Sequence, residues 1–439
     1  MKDYAKTVHD PIHGSVRLSG VYARIMDRHE MQRIRGIRQL GSAHLVFPGA
    51  NHTRFEHCLG AYHLSGRMAD AISLGAEDSQ AVRAAGLLHD ICHAPFSHTL
   101  EGLMEDATGC DHMELARNLI LGKIRTCREE DDDLFGGSDT IGDMLSDEGI
   151  DPEVVCGLIS SPETTASEMS SLQSRIDGPS DHFRSKDYIH QIIHGPVDCD
   201  QMDYLLRDSH YTGVTAGHID CERILATMRV HNDRICISRG GAPAAEGLMV
   251  ARSLMFTSVY FHPAVRIINR MTVKAAEASG LDLKEMYLWD DSDLEHRLID
   301  CGGVASEIIR SVRGRRIYKK AFMLGPSETS EDTALFLTRY FGRADRGKLE
   351  KDIADKAGIP EHMVCVEMPS PSVLMNKVQI GKTDVSILEP DGRVVNLTKT
   401  SPIAKSLQSR DPFGWSVVVA CPPEHREAVR KAASRIIEG

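Results

Sequence analysis

The stretch "AGLLHDICHAPFSH" at residues 85–98 sets His89, Asp90, His93 and His98 among apolar residues. Imidazole and carboxylate groups are costly to bury unless an ion, a phosphate or a transferred proton uses them. A fold for this chain must therefore bring partners to these side chains from elsewhere in the sequence. That requirement constrains the chain more than any bulk property does.

The flanking pattern is helical. "HTRFEHCLGAYHLSGRMADAI" carries Phe55, Leu59, Tyr62 and Met68 at helix-like spacing, and "SQAVRAAGLLHDI" repeats it. The first 120 residues read as helical with few breaks. Two polar stretches follow, the acidic "REEDDDLFGGSD" at 128–139 and the serine-rich region at 160–182, both expected as surface insertions. "CDQMDYLLRDSHY" resumes the helical pattern, and "RILATMRV" leads through His231, Asn232 and Asp233 into "RICISR" as a strand pair. A long helical segment from Glu246 to about Ala278 is interrupted near Pro263. Beyond about residue 315 the texture changes to short β-branched runs, "MVCVEM", "VSILEPDGRVVNL" and "GWSVVVACPP", closed by a helix. The expectation is a mainly α protein: a helical domain over 1–315 and a smaller α+β module over 316–439.

Composition excludes several classes. With 41 % hydrophobic and 26 % charged residues in 439, the chain suits a folded globular protein. No apolar run approaches bilayer length and "MKDYAKTVHDPIHG" has no signal-peptide core, so a cytoplasmic protein without membrane contact is expected. Eleven cysteines occur without a CxxC pair, which reads as thiols in a reducing compartment. A net charge of −12 and the lack of a basic-aromatic stripe argue against a nucleic-acid partner.

His57, His89, Asp90 and Asp200 are the candidate metal ligands. Mixed nitrogen and oxygen donors suit zinc, iron or manganese, whereas magnesium prefers oxygen alone. Adjacent helical side chains diverge by about 100°, so His89 and Asp90 reach one ion only beside a neighbouring helix that supplies more ligands. An isolated His-Asp dipeptide reads as a solvated or capping pair; its surroundings decide. "NHTRFEHCLG", "GLLHDICHAPFSH" and "VDCDQMDYLLRD" stand here in an order and spacing that resemble the HD-domain phosphohydrolases, and within them the SAM-and-HD-domain dNTP triphosphohydrolases. The resemblance covers roughly residues 5–275 and is much weaker over the last 120.

That resemblance implies a divalent metal (zinc, iron, manganese or magnesium) on His57, His89, Asp90 and Asp200, with positions open for water and a phosphate oxygen. Arg54, three residues before His57, shares its helix face and matches a phosphate-binding arginine. His93, read as lying on the face of His89, and His98 match phosphate-contacting histidines. His98 and His112 match catalytic candidates, with Glu101 in the place of a partner that is usually an aspartate. Met113 also departs, from an acid. Gln39, Leu40, Tyr204, Asp208 and Tyr260 match the nucleoside pocket, in which Gln39 and Asp208 hydrogen-bond the 3′-hydroxyl. A tyrosine packed under the sugar leaves little room for a 2′-hydroxyl. Arg252 and His262 match residues at the far end of the triphosphate. Gln201 replaces a phosphate-holding lysine, a neutral amide in place of a cation. Lys6, Asp27, Gln32 and Arg35 match a site for a GTP or dGTP effector between subunits of a homo-oligomer, a dimer or tetramer. On their own, Arg33, Arg35 and Arg38 also read as an ordinary basic helix face.

The expected reaction is metal-dependent hydrolysis of a deoxynucleoside triphosphate to deoxynucleoside and tripolyphosphate. Two alternatives remain from the sequence: hydrolysis of nucleoside monophosphates, cyclic nucleotides or another phosphoester, and a nucleotide-sensing oligomer without turnover.

Overall fold

A computed structural model of the chain describes residues 4–126, 139–160, 187–325, 328–368, 385–409 and 417–438. Apart from Asp139 and Ser160, the two polar insertions lie outside the described residues. The architecture is mainly α with three small sheets, as expected. No helix among the described residues is long and apolar enough to cross a membrane. None of the cysteines there is in a disulfide.

The first 120 residues are not helical throughout. Strands β1 (Ala5–Asp10) and β2 (Gly14–Ser19) form an antiparallel hairpin, with Asp10 paired to Gly14. The Asp10 carboxylate accepts the backbone N–H groups of Ile12 and His13 at 2.9 and 2.8 Å and so turns the chain. Along β2, Val16 and Leu18 are buried while Ser15, Arg17 and Ser19 are exposed, a period of two that a helical reading overlooks.

Three helices frame the interior that matters here. The Arg54–Ala71 helix starts at a capping box in which the Glu56 side chain accepts from the Thr53 N–H at 2.6 Å. It packs against the Ala76–Leu88 helix and, from the far side of the sequence, the Cys199–Thr212 helix. That last helix is capped by Asp198, which accepts from the Gln201 N–H at 2.7 Å, and ends at Gly213 with φ 73°.

The strand pair is shorter than its sequence suggests. Asp220 caps a helix over Cys221–Thr227, so only β3 (Met228–His231) pairs with β4 (Arg234–Ser238). Asn232 and Asp233, at φ 49° and 55°, form the tight turn between them. Near Pro263 the Ala242–Met255 helix passes through a π-helical turn, Phe256–Tyr260, into the Pro263–Glu277 helix.

In the C-terminal part, β5 (Lys319–Leu324), β6 (Cys365–Glu367) and β9 (Val417–Cys421) form an antiparallel sheet in the order β5-β9-β6. Strand β7 (Ser386–Leu388) pairs with β8 (Val394–Asn396) and joins β4 in parallel. The run "VVVAC" in β9 is buried on both faces: Val418 and Ala420 meet the large helical core, Val417, Val419 and Cys421 a second core. Between the two, Glu350 takes both guanidinium forks of Arg270 at 2.9 and 3.0 Å and the Lys274 ammonium at 2.8 Å.

Candidate metal centre

Three helices and one turn bring four side chains together: His57, His89 and Asp200 converge on one point, and Asp90 stands beside them, within reach of His93 and His112 as well. His57 lies on the Arg54–Ala71 helix, and its Nε2 sits 3.1 Å from Asp200 Oδ1, 3.3 Å from His89 Nε2 and 3.5 Å from Asp90 Oδ2. His89 Nε2 is 3.5 Å from Asp90 Oδ1 and 4.0 Å from Asp200 Oδ1. The expected ligand set is thus brought together. Both imidazoles are oriented through their other nitrogens: His57 Nδ1 bonds Asp203 Oδ2 at 2.7 Å, and His89 Nδ1 donates to the Gly86 carbonyl at 3.0 Å.

Asp203 lies three residues after Asp200 and is completely buried. Its oxygens also accept from His13 Nε2 at 2.7 Å and from Arg207 Nε and Nη2, both at 2.9 Å, and Arg207 Nη1 reaches Asp10 at 2.8 Å. This network is possible because Gly60 faces it from the ligand helix. A Cβ on Gly60 would stand 1.8 Å from Asp203 Oδ1 and 2.6 Å from Arg207 Nη2. The glycine is the condition for the two helices to approach so closely.

The donor set fits a divalent cation. Burial works against charge on His57, yet hydrogen bonds to Asp200 and Asp203 push it up to about 10. Burial likewise opposes ionisation of Asp200 and Asp90. His57 and Arg54, respectively, still hold these carboxyls well below the usual carboxylate range. A pocket that stabilises positive charge this strongly, with oriented imidazole and carboxylate donors, is suited to a metal.

The loop after His89 departs from the helical expectation. The Ala76–Leu88 helix stops with His89 as its C-cap, and Asp90–Ser97 runs in tight turns. His93 is therefore not on the helix face of His89, although folding of the loop returns its Nε2 to 3.1 Å from Asp90 Oδ1. Phe96 and Ser97 take φ of 58° and 54°, a strained conformation for such residues. The surroundings hold it: Asp291 accepts the Phe96 N–H at 2.6 Å, and Ser97 Oγ donates to the Arg38 carbonyl at 2.6 Å. Buried Arg33 binds the carbonyls of Ile91 and His93 at 2.9 and 3.0 Å.

This loop delivers the remaining polar residues. Arg54 donates to Asp90 and, at 2.9 Å, to Ser97 Oγ, while its buried Nη2 has no partner among the described residues. His98 opens the His98–Thr108 helix rather than closing the preceding one. Glu101 bridges two histidines, His98 through Nδ1 at 2.7 Å and His112 through its Nδ1. His93 stacks on His112 with centroids 4.2 Å apart. Burial and the charges of Arg54 and His112 push His93 well below its ordinary value, so it is neutral. Burial also presses on His112, but the hydrogen bond and charge of Glu101 prevail and raise it.

A second group of side chains lies further along the same helix. Asp200, Tyr204 and Asp208 succeed one another at four-residue spacing on the Cys199–Thr212 helix, which separates the first from the last by about 12 Å. Asp208 accepts from Tyr260 Oη at 2.6 Å, and the Tyr204 and Tyr260 rings meet edge to face at 6.1 Å. Gln39 is buried, with no partner for its Oε1 among the described residues, and Leu40 is half-buried against the core. The guanidinium of Arg252 lies 5.8 Å from the Phe256 ring, and His262 caps the Pro263–Glu277 helix. The Gln201 amide nitrogen is committed within the fold: Nε2 donates to Gly195 O and Asp198 Oδ2, both at 2.9 Å, while Oε1 is buried with no partner among the described residues. Near the N-terminus Asp27 pairs with Lys6 and accepts from Tyr4 Oη at 2.8 Å, while Arg35 Nε donates to Gln32 Oε1 at 2.9 Å.

Sequence reasoning overlooked Asp203, His13, Arg207, Ser97 and Asp291. Asp203 had a signal, since Asp200, Asp203 and Arg207 fall at i, i+3 and i+7 on one predicted helix. His13 and Asp291 had none, because their roles depend on tertiary contact with residues far away in the chain.

Comparison with known proteins gives the chain its family. Residues 54–153 match the HD domain and residues 219–438 match the HD associated region. An uncharacterized protein of Methanocaldococcus jannaschii, MJ1154, is 29% identical over 97% of this chain and 81% of its own length. The human deoxynucleoside triphosphate triphosphohydrolase SAMHD1 is 29% identical over 62% of this chain, which takes in 44% of that protein. The crystal structure of a phosphohydrolase from Bacteroides thetaiotaomicron superposes with a TM-score of 0.67 at 23% identity, covering 95% of this chain and 100% of that one, a likeness of fold.

Proposed function

Because the chain belongs to the HD-domain phosphohydrolases, we propose that it hydrolyses deoxynucleoside triphosphates to deoxynucleoside and tripolyphosphate in a metal-dependent reaction. The observation that carries this reading is the spacing along the Cys199–Thr212 helix. Asp200 belongs to the metal cluster and Asp208 to the Tyr204–Tyr260 pocket, about 12 Å apart along the helix, which leaves room for a phosphate and its sugar with a metal ion at one end and side-chain contacts at the other.

His57, His89, Asp90 and Asp200 would hold the ion. When bound, a divalent metal there supplies Lewis acidity to the phosphoryl oxygens and the attacking water. The chain's own residues do the rest. The free Nη2 of Arg54 binds a phosphate oxygen, with neutral His93 as a second donor. Water attacks the α-phosphorus, keeping one proton on the phosphate it forms and releasing the other to solvent; the bond to the 5′-oxygen breaks, and His112, whose protonated form Glu101 favours, gives its proton to that leaving oxygen. His98, on the other oxygen of Glu101, stands at the exposed mouth. Tyr204 and Tyr260 line the sugar site and Gln39 and Asp208 bind the 3′-hydroxyl. Arg252 and His262 take the outer phosphates.

Regulation by a guanine nucleotide at Lys6, Asp27, Gln32 and Arg35, in a homo-oligomer, belongs to the same reading. Its support is that Lys6 meets Asp27, and Gln32 meets Arg35, on the protein surface. One observation favours a smaller phosphoester instead: Gln201 offers no cation and is committed to Gly195 and Asp198.

Product analysis by anion-exchange chromatography tests both. Each dNTP is supplied alone and with GTP, in manganese, magnesium, iron or zinc, beside an Asp200→Ala control. Deoxynucleoside plus intact tripolyphosphate, absent in the control, is the expected result, and stimulation by GTP adds the effector site. Turnover of monophosphates alone would replace the triphosphate reading.

A further inference from the structure

We propose that His52, a residue outside the metal cluster and the phosphate-binding loop, sets recognition of the sugar by bracing the side chain of one residue that reads its 3′-hydroxyl and the backbone of the other; the inference rests on the deoxynucleotide reading above. His52 is only 1% exposed. Its Nε2 lies 2.7 Å from Asp208 Oδ1, while Tyr260 Oη occupies Oδ2. A carboxylate gripped at both oxygens cannot rotate about its own axis, so its remaining lone pairs point in fixed directions. The same residue supports the opposite reader through its backbone, since the His52 carbonyl accepts the Gln39 N–H at 3.0 Å. One residue thus spans the two halves of the sugar site.

The brace is itself anchored. The His52 ring stacks on Tyr211, with centroids 4.6 Å apart and planes at 15°. Tyr211 Oη donates to Glu56 Oε1 at 2.8 Å, and Glu56 Oε2 caps the start of the helix that carries His57. His52 therefore ties the orientation of Asp208 to the helix that positions the metal ligands. Since its Nε2 faces a carboxylate, this nitrogen carries the proton. His52 touches no reacting atom in this scheme, and it is a positioning residue.

The chemistry predicts a selective effect. A 3′-hydroxyl is recognised by a fixed acceptor and a fixed amide; a 2′,3′-dideoxynucleotide presents neither contact. kcat/KM for a dNTP relative to its dideoxy analogue therefore reads the sugar site, with the phosphate machinery common to both. His52→Phe keeps the stack on Tyr211 and removes the donor, and His52→Asn removes the reach to Asp208 without adding bulk. His52→Gln replaces the Nε2 donor with an amide at similar reach.

In full-length protein of matched metal content and melting temperature, the dNTP-to-dideoxy ratio should fall about tenfold in His52→Phe or His52→Asn. It should return to within about threefold of the unaltered ratio in His52→Gln. A parallel loss on both substrates, or an unchanged ratio, would overturn the role given to His52. Failure of the unaltered enzyme to turn over any deoxynucleotide is a separate result. It would remove the triphosphate reading, and this inference with it.

Discussion

Asp203 offers the sharpest test of how this centre is built. It is a fully buried carboxylate that touches ligand His57 at 2.7 Å, yet three of its four hydrogen bonds go elsewhere, to His13 and twice to Arg207. Asp203→Asn keeps the shape and removes the charge. Two costs follow, with separate readouts. Losing the anion behind His57 lowers the basicity of its imidazole and loosens its orientation; changes of this kind lower metal affinity by about 10–100-fold. Arg207 is meanwhile left fully buried with Asp10 as its charged partner, and breaking a buried pair costs about 3–5 kcal/mol. The two costs separate in a second variant. Adding Arg207→Met and Asp10→Asn to Asp203→Asn removes the stranded cation together with the buried carboxylate that it would leave behind, so stability measured by urea unfolding should largely recover while metal affinity, measured by competitive chelator titration, should not. If affinity is unchanged in the single variant, Asp203 serves the fold alone and the reasoning about His57 fails. If both quantities recover together, the affinity loss was merely a consequence of instability.

Two further outcomes follow from the same geometry. Glu101 holds His112 above its ordinary value, so the alkaline limb of kcat/KM should lie above pH ~6.5. In Glu101→Gln, burial and Arg54 press His112 down against the charge of Asp90 alone, and the limb should move to lower pH. An unmoved limb in a pH-rate profile would show that another group supplies the proton. The signs also fix how the pair affects stability. The contribution of His112 is complete below pH ~6.5 and fades as pH rises through its raised value. That of Glu101, whose carboxyl its two histidines hold well below normal despite burial, is complete above pH ~4.3 and fades in acid. Gly60→Ala should push a methyl group into Asp203 and Arg207, costing about 1–3 kcal/mol by urea unfolding and weakening metal binding as well. An unchanged denaturation midpoint would mean that the two helices separate at no cost.

What the sequence discloses depends on whether a residue's role is written in its neighbours. The helices carrying His57 and Asp200 are legible because apolar periodicity and caps are local properties, visible in Thr53–Glu56 and Asp198. The β1–β2 hairpin is not, since its alternating residues Val16 and Leu18 are too few to compete with a helical context on both sides. Nor does the path of Asp90–Ser97 follow from spacing. His93 stands four residues beyond His89, which implies a shared helix face, yet the helix has already ended at Leu88. The left-handed turn at Phe96 and Ser97 exists because Asp291 and the Arg38 carbonyl, 253 residues apart in the chain, hold it there. The same logic governs His52. Its sequence position, five residues before His57, suggests no more than a loop, and its significance arises only where Asp208 and Gln39 converge on it. The helices of this centre can thus be read from local pattern, and its candidate ligands from motifs whose order resembles the HD-domain phosphohydrolases. The residues that orient them come from tertiary contact, and a backbone this strained needs them: without Asp291, Arg33 and the Arg38 carbonyl, nothing would hold the loop that sets Ser97 against Arg54 and starts the helix at His98.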